Sequence, residues 1–136
     1  MKVPNGTACP CGRADGKGRA LPYAHCCGRW LDDFAGRPVP DAESLMRSRY
    51  TAFVLARSDY LLATWHPRTR PQALTMDPGV KWLGLEVRSH RPAGSDAEVE
   101  FVARSRLQGR AQRLHERSRF VHEADGRWYY LEALGP

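Results

Sequence analysis

The clearest pattern of hydrophobic and polar positions runs from Glu43 to Pro67, a segment without glycine. At the helical period its first apolar residues fall within one half of a helix surface: Leu45, Met46, Tyr50, Phe53, Val54 and Ala56. Asp41 precedes the pattern, and its carboxylate can accept a hydrogen bond from the first turn. The sequence therefore predicts an amphipathic helix from about Asp41 to Arg57.

One arginine lies on the apolar side of this predicted helix. The helical wheel places Arg49 between Ala56 and Phe53, whereas Arg47 and Ser48 fall outside the apolar half. An arginine in that position either reaches the rim with its charged end or meets a carboxylate inside the protein.

The rest of the chain predicts a short helix followed by strands. Ser58 and Asp59 are candidate N-caps of the second helix, which Pro67 ends, and residues 67–80 form a loop. Alternating apolar and polar positions then predict four strands: Lys81–His90, Asp96–Leu107, Ala111–Glu123 and Arg127–Leu134. Gln108-Gly109 and Asp125-Gly126 indicate two-residue hairpin turns between the last three.

Two-residue turns fix the strand register. The predicted cross-strand pairs are Phe101–Glu116, Ala103–Leu114, Phe120–Leu131 and Arg119–Glu132. The inner face then carries Leu114, Phe120, Tyr129 and Leu131 with Glu116 and Ser118, and the outer face carries Arg104, Arg106, Arg117 and Arg119 with Trp128 and Tyr130. Because Glu116 is an acidic residue on the inner face, we predict an ion pair with Arg49 at an N–O separation within about 4 Å.

Composition bounds the class of protein. A chain of 136 residues, 42% of them hydrophobic, suits one globular domain with room for a small appendage. No apolar run approaches the ~18 residues of a membrane span, and the N-terminus lacks the apolar core of an export signal, so we expect a cytoplasmic protein. The net charge of +6 favours acidic partners, although no lysine or arginine run marks a nucleic-acid patch.

All four cysteines lie near the N-terminus, as Cys9, Cys11, Cys26 and Cys27. In a chain without an export signal, clustered cysteines are more often metal ligands than disulfides. Four thiolates can close a tetrahedral zinc site of the structural type, which leaves no position for water. Disulfide bonding remains an alternative, as does His25 in place of Cys26 or Cys27 at the metal.

The residues around these cysteines, C-P-C-G and Y-A-H-C-C-G, resemble the SEC-C motif, a small zinc module named after the SecA translocation ATPase. The resemblance implies Zn²⁺ ligands at Cys9, Cys11, Cys26 and Cys27. The spacer from Gly12 to His25 is longer than is usual in that module, so its extra residues are expected to form a loop. We assign residues 1–40 to this module and its linker.

Longer blocks extend the resemblance over nearly the whole chain. LMRSRYTAFVLARSDYLLATWHP, WLGLEV, FVAR and ERSRF…GRWYYLEA are similar to the YchJ family of bacterial proteins, which joins a SEC-C module to a nuclear-transport-factor-2-like (cystatin-like) cone. The resemblance implies an α+β fold in which N-terminal helices pack on a curved four-stranded antiparallel sheet over residues 41–136. It implies no particular activity.

Three functions follow from these features. SEC-C modules of translocation ATPases contact acidic chaperone surfaces and ribosomes, so the resemblance implies a non-catalytic binding or adaptor protein with an acidic protein or ribosomal partner. A second possibility is a small-molecule or catalytic site in the cone cavity, with Glu116 as a general base. A third is nucleic-acid binding through the outer arginine face.

Candidate residues for the cavity, or for buried polar positions near it, are Arg49, Tyr50, Tyr60, Trp65, His66, Glu116 and Ser118. The simpler interpretation is structural, with Glu116 neutralising Arg49 and the aromatic residues filling the core.

Overall fold

The computed structural model describes Pro4 and residues 6–136. After a 3-10 turn at Tyr23–His25 come helices α1 (Gly28–Leu31), α2 (Ala42–Val54) and α3 (Ser58–Ala63), then strands β1 (Val80–Ala93), β2 (Asp96–Leu107), β3 (Arg110–His122) and β4 (Trp128–Ala133). The strands form one antiparallel sheet in the order β1-β2-β3-β4. The predicted α+β fold is confirmed.

Within the described part of the chain, no helix combines the length and the apolar character needed to cross a membrane.

Helix α2 begins as predicted and ends early. The Asp41 carboxylate accepts a hydrogen bond from the Ser44 N–H at 2.7 Å, which caps the first turn. At the other end Ala56 has a φ of 56°, and the Arg57 N–H donates to the Ala52 carbonyl at 2.8 Å. This left-handed residue ends the helix before the expected Arg57. Helix α3 likewise ends at Ala63, well before Pro67.

Two sides of α2 are buried, although the sequence predicted one. Leu45 and Tyr50 are buried on the sheet side, as expected. Arg47 and Ser48, expected outside the apolar half, are covered as well: Ser48 is fully buried, and the Arg47 side chain is 14% exposed. The N-terminal segment covers Arg47, and Tyr60 of α3 covers Ser48, so the helix is enclosed by that segment, by α3 and by the sheet.

The register of the first predicted hairpin is confirmed, with Phe101 opposite Glu116. In the second hairpin Arg119 pairs with Glu132 as predicted, but Phe120 pairs with Tyr130 and not with Leu131, because the register shifts after Arg119.

This one-residue shift changes the face to which Tyr130 belongs. Tyr130 was expected on the outer face, and it packs edge-on against Trp65 at 5.1 Å and against Phe120 at 5.8 Å inside the core. Leu114, expected inside, is 50% exposed. Two register shifts also interrupt β1, at Trp82/Gly84 and Val87/Ser89, where the long edge strand bends over the helices.

Removing the helix cap tests the role assigned to Asp41. Asp41→Ala should lower the free energy of unfolding by about 1 kcal/mol, because the Ser44 N–H then loses its acceptor. Urea denaturation followed by circular dichroism measures this loss. Lys81→Ala, on an exposed strand position, is the control and should change stability by less than about 0.5 kcal/mol. Equal effects of the two substitutions would contradict the capping role.

Candidate metal centre and interior cavity

The four cysteines converge into one buried thiol cluster. Their sulfur atoms all lie within 4.8 Å of one another, and all four residues are buried free thiols. The Cys11 and Cys26 sulfurs are 3.6 Å apart. Residues separated by the long spacer are thus brought together by the fold, as the motif required.

This arrangement fits a metal ion of the zinc type. With Zn–S bonds of about 2.3 Å, a tetrahedral site holds its sulfurs about 3.8 Å apart, close to the observed Cys11–Cys26 distance. His25 is exposed and is not part of the cluster, so the candidate ligand set consists of the four cysteines.

The electrostatics of the cluster also favour a cation. Hydrogen bonds from Cys11, Cys26 and Cys27 lower the pKa of the Cys9 thiol, and those from Cys26 and Cys27 lower the pKa of Cys11 to about 7. Hydrogen bonding to Cys11 raises the pKa of Cys26 and of Cys27. Four buried thiolates repel one another, so all four can be ionised together only when a cation compensates their charge.

Local backbone geometry presents these thiols. The Gly12 N–H donates to the Cys9 carbonyl at 3.1 Å, and Gly12 has a φ of 76°, which closes the predicted tight turn around Pro10. The long spacer forms a small hairpin, with bridges Ala8↔Pro22 and Ala14↔Ala20.

Gly28 leaves room for the packing of Tyr23 on its backbone. A Cβ atom at this position would lie 2.7 Å from the Tyr23 ring and equally close to the Tyr23 carbonyl oxygen. Tyr23 is buried and donates its hydroxyl to Asp32 at 3.1 Å. Gly28 is therefore required because the tyrosine packs directly on its backbone beside the cysteine pair.

Polar contacts attach the thiol cluster to the second side of α2. Arg47 donates from Nη1 to the Cys11 carbonyl at 3.1 Å and from Nε to Glu43 at 2.9 Å. The Thr51 hydroxyl oxygen lies 3.8 Å from the Cys9 sulfur. These contacts explain the burial of Arg47, which the helical wheel assigned to the outside. Ser48, the other residue assigned there, is covered by Tyr60 of α3.

Aromatic and aliphatic side chains complete the attachment. Trp30 and Leu31 on α1 are buried in the common core. Phe34 meets the Tyr60 ring edge-on at 6.0 Å, and Arg127 lies over Phe34 at 4.3 Å while donating to its carbonyl at 2.9 Å. The N-terminal segment and the cone thus share one core.

An interior cavity of about 320 Å³ lies between α2 and the inner face of the sheet. Its lining is mostly apolar and consists of Met46, Arg49, Tyr50, Phe53, Trp65, Trp82, Phe101, Ala103, Leu114, Glu116, Ser118 and Tyr130. Two of the predicted candidates lie elsewhere. Tyr60 is buried with its hydroxyl 2.7 Å from that of Ser48, and His66 contacts Glu123 at 2.6 Å.

Arg49 is buried as predicted, but its predicted partner is wrong. Its Nη1 donates to the Leu61 carbonyl at 2.8 Å and to the Thr64 hydroxyl at 2.7 Å. Although both residues belong to the described part of the chain, Arg49 and Glu116 form no ion pair within 4 Å, and Glu116 accepts from Ser118 at 2.6 Å. The Leu61 carbonyl and the Thr64 hydroxyl at the end of α3 take the role expected of the carboxylate.

Aromatic rings complete the surroundings of Arg49. The guanidinium lies 4.7 Å from the Tyr130 ring centre and 5.2 Å from that of Trp65. Burial lowers the Arg49 pKa to about 10, so the side chain is still a cation at neutral pH. Thr64 and Tyr130 were missed by sequence reasoning, because no local pattern indicated that they would meet Arg49.

The outer face of the sheet alternates in charge. Arg104 lies 3.7 Å from Glu86, and Arg117 lies 3.2 Å from Glu98. Arg119 contacts both Asp96, at 2.7 Å, and Glu132, at 3.6 Å. The predicted arginine stripe is therefore largely neutralised by carboxylates.

Comparison with known proteins places this architecture in a family. Residues 41–133 match the family described as "YchJ, middle NTF2-like domain". The chain belongs to the YchJ family. A UPF0225 protein of Polaromonas sp. is 67% identical over 129 residues, which cover 93% of this chain and 92% of the relative. A UPF0225 protein of Methylibium petroleiphilum is 60% identical, with coverages of 91% and 85%.

Solved structures connect this YchJ-family chain to SEC-C proteins. A SEC-C motif containing protein from Psychrobacter arcticus has a TM-score of 0.77 at 30% identity. The match covers 97% of this chain and 84% of that protein's chain. One from Rhodopseudomonas palustris has a TM-score of 0.78 at 35% identity, with coverages of 96% and 99%. These matches extend over nearly the whole chain and support the resemblance of the N-terminal residues to the SEC-C motif.

Metal analysis tests the four-cysteine ligand set. We expect about one zinc ion per purified chain, and Cys27→Ser should reduce this to near zero because a buried thiolate ligand is lost. Acidification should also release the metal, because protons compete for the thiolates. Mass spectrometric metal analysis after dialysis measures both effects. His25→Ala should retain the metal; loss of metal in that variant would contradict the ligand set.

Packing at Gly28 provides a second test. Gly28→Ala should lower stability by about 1–3 kcal/mol, because the added methyl group overlaps the Tyr23 ring and carbonyl. Gly16→Ala is the matched control, since its Cβ would meet nothing within 4 Å. Thermal unfolding of the metal-loaded proteins compares them. Equal melting temperatures would rule out the close-packing role of Gly28.

Proposed function

We propose that the four cysteines bind one structural zinc ion, and that the zinc-stabilised N-terminal module is the binding surface of a non-catalytic, cytoplasmic adaptor protein. Its partner is an acidic protein or a ribosomal surface. The observation that carries this proposal is the buried four-thiol cluster attached to α2.

The chemistry of the cluster supports a structural ion. When four thiolates occupy a tetrahedral site, no position remains for water or substrate, so the metal stabilises the fold. The N-terminal module is too short to form a hydrophobic core alone, and such segments depend on metal binding for their folding free energy.

The hairpin next to the cluster supplies the candidate recognition charges. Arg13 points inward, where its Nη1 donates to Ser44 at 2.8 Å. Lys17 and Arg19 lie at the exposed tip, where the Asp15 carboxylate accepts from both of their backbone N–H groups and fixes the turn. At the exposed tip the Arg19 guanidinium also pairs with Asp15 at 3.2 Å, so Lys17 is the cation there without a carboxylate partner among the described residues. An exposed cation on a rigid loop suits an acidic partner.

The nucleic-acid alternative receives less support. Its proposed contact surface is the outer arginine face, where Arg104, Arg117 and Arg119 all have carboxylate partners. A surface of alternating charge lacks the excess of cations that phosphate binding requires.

Surface charge reversals test the adaptor proposal without disturbing the shared core. The double variant Lys17→Glu/Arg19→Glu should weaken binding to purified ribosomes, or to an acidic peptide, at least about tenfold, because attraction becomes repulsion. Co-sedimentation and fluorescence polarisation measure the two cases.

Lys81→Glu/Arg106→Glu is the matched control, since it changes the net charge equally on the sheet. It should bind like the parent chain. Equal weakening by the two double variants would show that only overall charge matters, which would overturn the proposal.

A further inference from the structure

The interior cavity is lined by hydrogen-bond donors that the protein leaves without acceptors. In the Arg49 guanidinium, Nη1 donates the hydrogen bonds described above. In the described part of the chain, neither Nε nor Nη2 donates one. The indole Nε1 of Trp65 is buried without an acceptor. Both residues line the cavity. A buried donor such as the Trp65 N–H is uncommon, because it costs the free energy of its lost hydration.

The charge at this end of the cavity is also unbalanced. Arg49 is 5% exposed, and among the described residues no carboxylate lies within 4 Å of its guanidinium. Carbonyl and hydroxyl oxygens at Leu61 and Thr64 compensate the cation only in part. A buried cation without a counter-ion favours the binding of an anion.

The exposure of the side chains along β3 distinguishes the mouth of the cavity from its floor. Leu114 is 50% exposed, Glu116 is half-buried and Ser118 is 1% exposed, so the strand runs from the mouth of the cavity to its floor. Glu116 therefore lies nearer the mouth, where water screens its charge, and Arg49 lies deeper. A negative group is favoured at the floor and disfavoured at the mouth.

The walls between these ends are largely aromatic. Phe53, Trp82 and Phe101 line the middle of the cavity, and Tyr50 packs edge-on against Trp82 at 5.7 Å. Rings of this kind favour an aromatic guest in edge-to-face or offset contact. A volume of about 320 Å³ lies at the small end of the range for ligand sites and suits a molecule of one or two rings.

We propose that this cavity binds a small aromatic monocarboxylate. Its carboxylate accepts hydrogen bonds from Arg49 and Trp65 at the floor, and its ring lies against Phe53, Trp82 and Phe101. Glu116 at the mouth discriminates against a second negative charge, so the site selects monocarboxylates over dicarboxylates. This site is separate from the thiol cluster and independent of the adaptor function.

Calorimetric titration of the metal-loaded full chain tests the ligand class. The probes are phenylacetate and indole-3-acetate, their uncharged amides, and the dicarboxylate phenylmalonate. Each acid should bind at least about tenfold more tightly than its amide, because only the acid neutralises the buried guanidinium. Phenylmalonate should bind more weakly than phenylacetate.

Variants assign the contacts. Trp65→Phe removes the N–H and keeps a ring, and it should weaken acid binding about fivefold. Ala103→Leu fills the cavity and should abolish binding. Glu116→Gln should tighten phenylacetate binding and should admit phenylmalonate, because the negative charge at the mouth is removed. Arg49→Lys should weaken the acids at least about tenfold, with circular dichroism as the folding check. Arg106→Lys, on the outer face, is the matched control.

Three results would overturn the proposal. The first is equal affinity for acids and amides, and the second is the absence of saturable binding by either acid at millimolar concentration. The third is unchanged binding in both Trp65→Phe and Ala103→Leu, which decides the matter even if Arg49→Lys fails to fold.

Discussion

Enclosure of helix α2 on two opposite sides is the constraint on which the structure depends. Arg49 lines the interior cavity on the sheet side, whereas Arg47, two positions earlier, donates to the carbonyl of Cys11 on the opposite side. The helix backbone is therefore a common wall of the thiol cluster and of the interior cavity. Because one core continues from the cysteines to Phe120, the cysteine-bearing N-terminal segment and the cone stabilise each other by packing.

Several arginine side chains form hydrogen bonds that connect separate elements of this small protein. Arg47 and Arg127 donate to backbone carbonyls across the contact between the N-terminal segment and the cone, and Arg49 does so at the end of α3. The planar guanidinium, with several donors, suits such sites better than lysine does. Arg119 and its neighbours are paired on the outer face. Much of the basic composition is thus structural, and the cationic tip of the hairpin is a small part of it.

The two candidate sites differ in chemistry. The thiol cluster fits a cation that holds a segment in place, whereas the cavity contains a buried cation and suits an anion. Both sites occur in one chain of the YchJ family. The family's middle domain matches residues 41–133, and the solved SEC-C structures cover nearly the whole fold. A metal ion at the thiol cluster and an anion in the cavity are compatible, because α2 separates the two sites.

Local patterns in the sequence determined the Asp41 cap and the register of the first hairpin, because each depends on neighbouring residues or on a two-residue turn. The sequence also identified the four cysteines that the fold brings together. Only the tertiary structure decided the partner of Arg49 and the position of Tyr130. A one-residue register shift after Arg119 turned Tyr130 toward the core. The Leu61 carbonyl at the end of α3, and not the expected Glu116 carboxylate, accepts a hydrogen bond from Arg49. Such contacts join residues distant in the chain, and their relative free energies depend on packing that no local periodicity encodes.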